Sequence, residues 1–235
     1  MAEYFTDFSE YTTGVAPGDW TNQFATGTTR TVESDGGATG GKLLRMVSTS
    51  SARQAFSWDD IDSDADRDDA EIVFRWRVTS DPAGGSGLLR GIVRGGGSTS
   101  TEQGYVGGCL SVSTHREGKY VAGSFTNLGD DSFAVSLNTW YWTRHRVNGT
   151  TLQTRTWADS GSEPGTWNIH NATDGSISGT GFVGFFNNTG DSATVEIDVF
   201  GVGTNGDTAP SAAAGGFKSA WAIGSNVILG AGASN

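Results

Sequence analysis

Residues 140–167 read WYWTRHRVNGTTLQTRTWADSGSEPGTW, and this stretch decides the fold. A run of large and β-branched residues reaches Asn148-Gly149 and returns to Trp157. Asn-Gly is a strong hairpin signal, because both central residues of a type I′ turn need positive φ. A two-residue loop at Asn148-Gly149 sets Val147 opposite Thr150, His145 opposite Leu152 and Trp140 opposite Trp157. Alternation puts Tyr141, Thr143, His145, Val147 and Leu152 on one face. Trp140, Trp142, Arg144, Arg146, Arg155 and Trp157 share the other. Both faces carry groups that bury or stack, so the hairpin is expected inside a two-layer β-sandwich.

Outward from the hairpin, short apolar runs alternate with Gly-rich turns. AEIVFRWRVTS (70–80) is the clearest single strand, with Ile72, Phe74, Trp76 and Val78 on one face. TTRTVES, KLLRMVS, SARQAFSW and LLRGIVRG read as further strands. YVGGCLSVSTH and KYVAGSF read as a meander joined through HREG. NLGDDS reads as a turn, FAVSL as a strand, and residues 158–178 as a long connection before two closing strands. Roughly a dozen short strands at near-regular spacing mark a sandwich or jelly roll. From about residue 204 the composition changes to a flexible linker, TNGDTAPSAAAGG, followed by an apolar end. The expected division is a sandwich over residues 1–205 and a C-terminal arm over 206–235.

The chain has 235 residues, 36 of them Gly, and a net charge of −11, enough length for one large sandwich core. Eight acids and one Arg in residues 59–71, DDIDSDADRDDAE, supply most of that charge. No basic surface is suggested, so nucleic acid is not expected as a direct partner. The single cysteine, Cys109, excludes an intrachain disulfide. The opening MAEYFTDFSE has no basic or apolar signal region, and no run reaches membrane-spanning length. Synthesis in a cytoplasm without a secretory signal and no membrane insertion are therefore expected.

The hairpin pattern W-Y-x-x-R-x-R-V-x-G-T-T-L-x-x-R-x-W, followed by G-x-E-P-x-x-W, resembles jelly rolls of the concanavalin A-like lectin/glucanase superfamily. The opening YFTDFSEYTTGVAPGDWT and the closing GTGFVGFFNNTGDSATVEIDVFGVG extend the resemblance over most of residues 3–203. It implies an all-β jelly-roll sandwich of two antiparallel sheets. It implies no activity, since fold alone does not set function. The ending A-W-A-x-G-S-N-V-x-L-G resembles C-termini of structural proteins of tailed bacteriophages.

Four constellations are candidates for chemistry. Asp60, Asp62, Asp64, Asp66, Asp68 and Glu71 are spaced as in an EF-hand-like loop and form a candidate calcium site. Ala65 stands where the turn glycine belongs, and the alternative is a solvated acidic loop. Trp140, Trp142, Arg144, Arg155 and Trp157 form a candidate glycan groove, because sugar C–H faces stack on aromatic rings. The alternative is a cross-strand ladder that stabilises the sheet. Glu196-Ile-Asp198 resembles the catalytic strand of laminarinase-type glycosidases, but Phe200 and Gly201 stand where the second carboxylate belongs. Val195, Ile197 and Val199 are expected on the core face. No catalytic residues are assigned, and a glycoside hydrolase ranks third. Finally, Phe217, Trp221, Ile223, Val227, Ile228 and Leu229 make an apolar end that either folds back or docks on a neighbour.

The leading expectation is a non-catalytic structural protein of a bacteriophage virion, a decoration, fibre or tail-associated module. It would assemble with other virion proteins and with copies of itself. The alternative is a lectin-like module for host-surface glycans.

Overall fold

The structure is a computed structural model, and it describes residues 3–24, 28–48, 53–81, 88–187, 193–209 and 227–229. Sixteen strands and one short helix occur among them. The strands of the first half are β1 (Glu3–Thr6), β2 (Trp20–Asn22), β3 (Thr28–Ser34), β4 (Lys42–Ser48), β5 (Gln54–Trp58), β6 (Ala70–Ser80) and β7 (Leu89–Gly96). Those of the second are β8 (Gln103–Ser111), β9 (Thr114–Val121), β10 (Ser124–Ser132), β11 (Tyr141–Asn148), β12 (Thr151–Ala158), β13 (Ile169–Thr173), β14 (Phe182–Asn187), β15 (Thr194–Gly203) and β16 (Val227–Leu229). The helical turn α1 covers Asp59–Asp62.

The strands form two sheets. One runs β13-β12-β11-β6-β15-β1-β16, with β4 beside the first half of β15 and β3 beyond it. The other runs β10-β9-β8-β7-β14-β5-β2. Every pairing is antiparallel except that of β16 on β1. Ile72, Phe74, Trp76 and Val78 of β6 face the other sheet, as alternation predicts. Between the sheets Trp20 stacks on Trp58 at 5.7 Å and on Phe185 at 5.5 Å, while Phe200 meets it edge-on at 5.2 Å. Such pairs contribute about 0.5–1.5 kcal/mol each beyond area burial.

The central hairpin forms, but one residue further on. Gly149 and Thr150 make the loop, Asn148 pairs with Thr151, and Trp142 rather than Trp140 lies opposite Trp157. Gly149 alone has positive φ (56°), the pattern of a type II′ turn with Gly at its first central position. The sorting of side chains between faces survives, because the pairing changes by two residues, one full period of the strand.

Other expectations are corrected. HREG is not a turn: β9 runs through it, and the turn before β10 is Ala122-Gly123, both at positive φ (47° and 77°). NLGDDS is strand, the greater part of β10, while FAVSL is not. Strand β13 lies within the connection 158–178. Val199 is on the outer face with Phe5, Val73 and Trp142, because a bulge at Asp198 shifts the alternation and sends Phe200 to the core.

Candidate functional site

The aromatic face of the hairpin is packed rather than open. Trp142 and Trp157 stack at 6.4 Å and 11°, both buried with Phe5, Val73, Val199 and Ala209. The Trp142 indole N–H donates to Asp159 Oδ1 at 2.6 Å. Arg144 is buried between Glu71, which it pairs through Nη1, and Glu163 at 2.7 Å. Arg155 also pairs with Glu163 and lies 4.3 Å from the Trp167 ring. Trp140 is half-buried beneath the guanidinium groups of Arg75 and Arg77, at 4.4 and 4.3 Å. The five candidate glycan residues therefore do not share one open groove. The aromatic ladder reading fits them, and segment 159–168 is what covers them.

The acids of residues 60–71 do not converge on a point. Asp62 takes the Ser57 hydroxyl at 2.6 Å. Asp64 takes Thr204 Oγ1 at 2.7 Å, the Tyr4 hydroxyl at 3.2 Å and its neighbour Asp66 N–H at 2.9 Å. Glu71 faces Arg144 on the opposite side of the segment's last strand. Asp60 sits in α1 and Asp66 is exposed, while the Asp68 carbonyl accepts from Arg94 Nε at 2.8 Å. Among the described residues no three His, Cys, Asp or Glu side chains are grouped to hold a metal. The EF-hand-like spacing is corrected to a strap: Asp59–Asp62 coils into a helical turn, and the acids behind it tie β1, β15 and the hairpin together.

Glu196 and Asp198 lie on the outer face of the nine-stranded sheet, each held by arginine. Glu196 takes Arg45 at 2.7 Å and Arg77 at 2.6 Å. Asp198 takes Arg75 at 2.5 Å and Thr39 Oγ1 at 2.7 Å. Burial pushes the Asp198 carboxyl upward, opposed by Thr39 and Arg75. Both carboxylates are committed to sheet cohesion. Of the apolar end, Phe217, Trp221 and Ile223 lie outside the described residues. Val227, Ile228 and Leu229 form β16, in register with Glu3, Tyr4 and Phe5.

The sandwich interior holds a second polar group. His145 Nδ1 lies 3.1 Å from Thr154 Oγ1 and 3.2 Å from Glu117 Oε2, below Gly107, where any Cβ would collide with all three. His115 is buried beside them, and desolvation drives its pKa down to about 4. Cys109 is buried too, its thiol pushed up by burial. These groups are sealed between the sheets, which fits packed histidines rather than a base open to substrate.

An open, chemically mixed surface occurs at the edge of the seven-stranded sheet, on β9 and β10. Three cross-strand rows face outward: Tyr120 with Phe125, Gly118 with Asn127, and Arg116 with Asp130. Asn127 and Asp130 are three residues apart and would face opposite sides of a regular strand. The register shift between Asn127 and Gly129 brings them to one side. The Phe125 ring lies over Gly118, whose Cβ would come within 2.5 Å of it. Asp130 forks onto Arg116 at 2.5 and 2.6 Å and takes the Asn127 amide at 3.0 Å. The Arg116 bond holds the Asp130 carboxyl below the usual carboxylate range. Phe125 is half-buried, and Asn127 and Asp130 are exposed. An aromatic face beside a fixed carboxylate, an amide and a guanidinium can stack on a ring and exchange hydrogen bonds with hydroxyls. Sequence reasoning passed over this set because N-L-G-D-D reads as a turn. The bulge is not legible in the sequence; only the F-x-N alternation of Phe125 and Asn127 is.

No protein-family model matches the chain, and no curated protein does. Solved structures match across most of it. The exoplasmic/lumenal domain of VIP36 in its Ca2+-bound form gives a TM-score of 0.56 at 12% identity, over 79% of this chain and 83% of that one. The fold is a concanavalin A-like jelly roll. The carbohydrate binding module CBM66 from Bacillus subtilis gives 0.50 at 13%, over 80% and 96%. The cellulose induced protein Cip1 gives 0.53 at 12%, over 87% and 97%. At such identities the likeness of these jelly rolls is one of fold.

Proposed function

We propose that this protein is a non-catalytic carbohydrate-binding module whose contact surface is the β9–β10 edge. The observation that carries the reading is the Phe125 ring set beside Arg116, Asn127 and Asp130 on one outward face. Phe125 would stack on the apolar C–H face of a sugar. Asp130 and Asn127 would accept from and donate to its hydroxyls, and Arg116 would hold Asp130 in place. Solved jelly rolls described as a carbohydrate binding module and as a mannose-oligosaccharide-bound lumenal domain support the class. Arginine pairing of Glu196 and Asp198 supports a module without glycosidase chemistry. Calcium is not needed for these contacts, although the VIP36 domain is described with it. The test is affinity electrophoresis against a panel of polysaccharides. Retardation by at least one, lost in Phe125→Ala and Asp130→Ala with unchanged melting temperature, supports the reading. No retardation by any of them sinks it.

A second reading is a structural module of a tailed-phage particle, docking on other virion subunits and on copies of itself. It is favoured by the phage-like ending and by β16, a tail segment that adds a strand to the edge of β1. The two readings are compatible, since such a particle could present the glycan surface to a host. Loss of assembly on deleting residues 206–235, with the melting temperature unchanged, would favour docking.

A further inference from the structure

Among the described residues of the seven-stranded sheet, the buried cation Arg90 makes no salt bridge; Tyr120 and the charge of Glu117 favour its charged form, but less than burial opposes it. On the outward face of that sheet a single cross-strand row runs Phe186, Arg90, Gly108, Arg116, Asp130. Neighbouring strands are about 4.8 Å apart, so Arg90 and Arg116 stand two strands apart with only a glycine between them. Gly108, at φ 142°, packs its Cα so close to β7 that a Cβ would lie 2.9 Å from the Leu89 carbonyl oxygen and 3.1 Å from Arg90 Cα, so no side chain stands between Arg90 and Arg116. Of the arginines on this face, Arg116 is neutralised by Asp130, and Arg53 by Glu102 at 2.8 Å. Arg90 is 1% exposed, and its Nε and Nη1 have no hydrogen-bond partner. Its guanidinium lies 4.9 Å from the Phe186 ring and 5.9 Å from the Phe125 ring. Rings of this kind attract a cation, but they return less than burial of an ion costs. A methionine would fill this space without that cost. An acceptor supplied from outside resolves the imbalance, and the half-buried Phe125, equally 5.9 Å from Arg116, closes the outer end of the row.

We propose that the gap over Gly108, between Arg90 and Arg116, is a subsite for the carboxylate of a uronic acid residue, which makes acidic glycans the ligand class. This rests on the carbohydrate-binding reading of the adjoining β9–β10 edge. The carboxylate enters beside Phe125, accepts from the unpartnered N–H groups of Arg90, and competes with Asp130 for Arg116. Asp130 is then the internal stand-in that holds Arg116 when no ligand is bound.

The test is isothermal titration of the full chain with oligogalacturonate, with a neutral galactose oligosaccharide of equal length, and with inorganic sulfate. The expected result is at least tenfold tighter binding of oligogalacturonate than of the neutral oligosaccharide. Arg90→Met should abolish that preference, keep the neutral binding, and leave the melting temperature unchanged or higher. In the wild-type chain, the Arg90 Nε–H resonance should move on titration with oligogalacturonate, which serves if the variant does not fold. A lower melting temperature for Arg90→Met with the preference intact would make Arg90 a structural cation and overturn the subsite. Sulfate binding as tight as oligogalacturonate would overturn its assignment to a sugar acid. Equal binding of both oligosaccharides removes the subsite alone, whereas binding of neither removes the carbohydrate reading itself.

Discussion

Replacing Arg144 by Met separates packing from recognition on the central hairpin. Arg144 is buried with Nη1 on Glu71, Nε and Nη2 on Glu163 at 2.7 and 3.2 Å, and Nη1 also on the Ala209 carbonyl at 3.1 Å. Glu163 keeps Arg155 when Arg144 is lost, and it is partly exposed. Glu71 does not fare as well. It is 1% exposed, and what remains is the Ala209 N–H at 3.0 Å and Arg146 at 3.7 Å. Breaking a buried pair and stranding one charge costs about 3–5 kcal/mol. For a domain of this size each kcal/mol moves the melting temperature by about 2–4 °C, so a fall of roughly 6–20 °C is expected. The double variant Arg144→Met/Glu71→Leu should recover much of the loss, because the stranded charge is gone. Urea unfolding and thermal melts of the three proteins measure this, alongside sugar affinity, which should not change. A stable Arg144→Met chain with sugar affinity reduced tenfold would refute the reasoning and return the hairpin face to the binding site.

Gly118→Val places a side chain within 2.5 Å of the Phe125 ring and should displace it, lowering sugar affinity at least tenfold by titration. Its stability cost should stay near 1–3 kcal/mol, as for other overpacking changes. His115 is held neutral in the fold, with a pKa near 4 against 6.5 for a free imidazole, so the unfolded chain takes up its proton first. Its contribution to stability is complete above about pH 6.5 and is lost as pH falls towards 4; His115→Met should flatten that limb of a stability-against-pH profile. Removing residues 210–235 strips β16 from β1, a three-residue parallel pairing, so the melting temperature should fall only a few degrees. The bared β1 edge should raise self-association, read by light scattering.

The strands whose alternation carries large apolar residues, such as β6 and β11, were legible because each face of a buried sheet needs a continuous partner. The Asn148-Gly149 motif places the turn one residue too early: Trp142 stacks on Trp157 in the register found, and Glu163 bridges the opposed Arg144 and Arg155. Residues 127–132 of β10 read as a turn because this is an edge strand, largely polar on both faces, with a glycine at its bulge. That pattern hides the candidate site and leaves the tryptophans as the visible candidates. Trp142 and Trp157 are hydrophobic enough for a sugar platform. Whether they meet solvent depends on segment 159–168, whose covering role no local pattern reveals. The acidic run shows the same limit: its spacing fits a calcium loop, but Tyr4, Thr204 and Arg144 reach its acids from distant parts of the chain.

The measurement closest to the central claim is amide chemical-shift mapping of the full chain with a polysaccharide fragment that retards it. Shifts are expected to cluster at Arg116, Gly118, Phe125, Asn127 and Asp130, with none at Trp142 or Trp157. Shifts centred on Trp140 and Trp167, or on no contiguous surface, would contradict it.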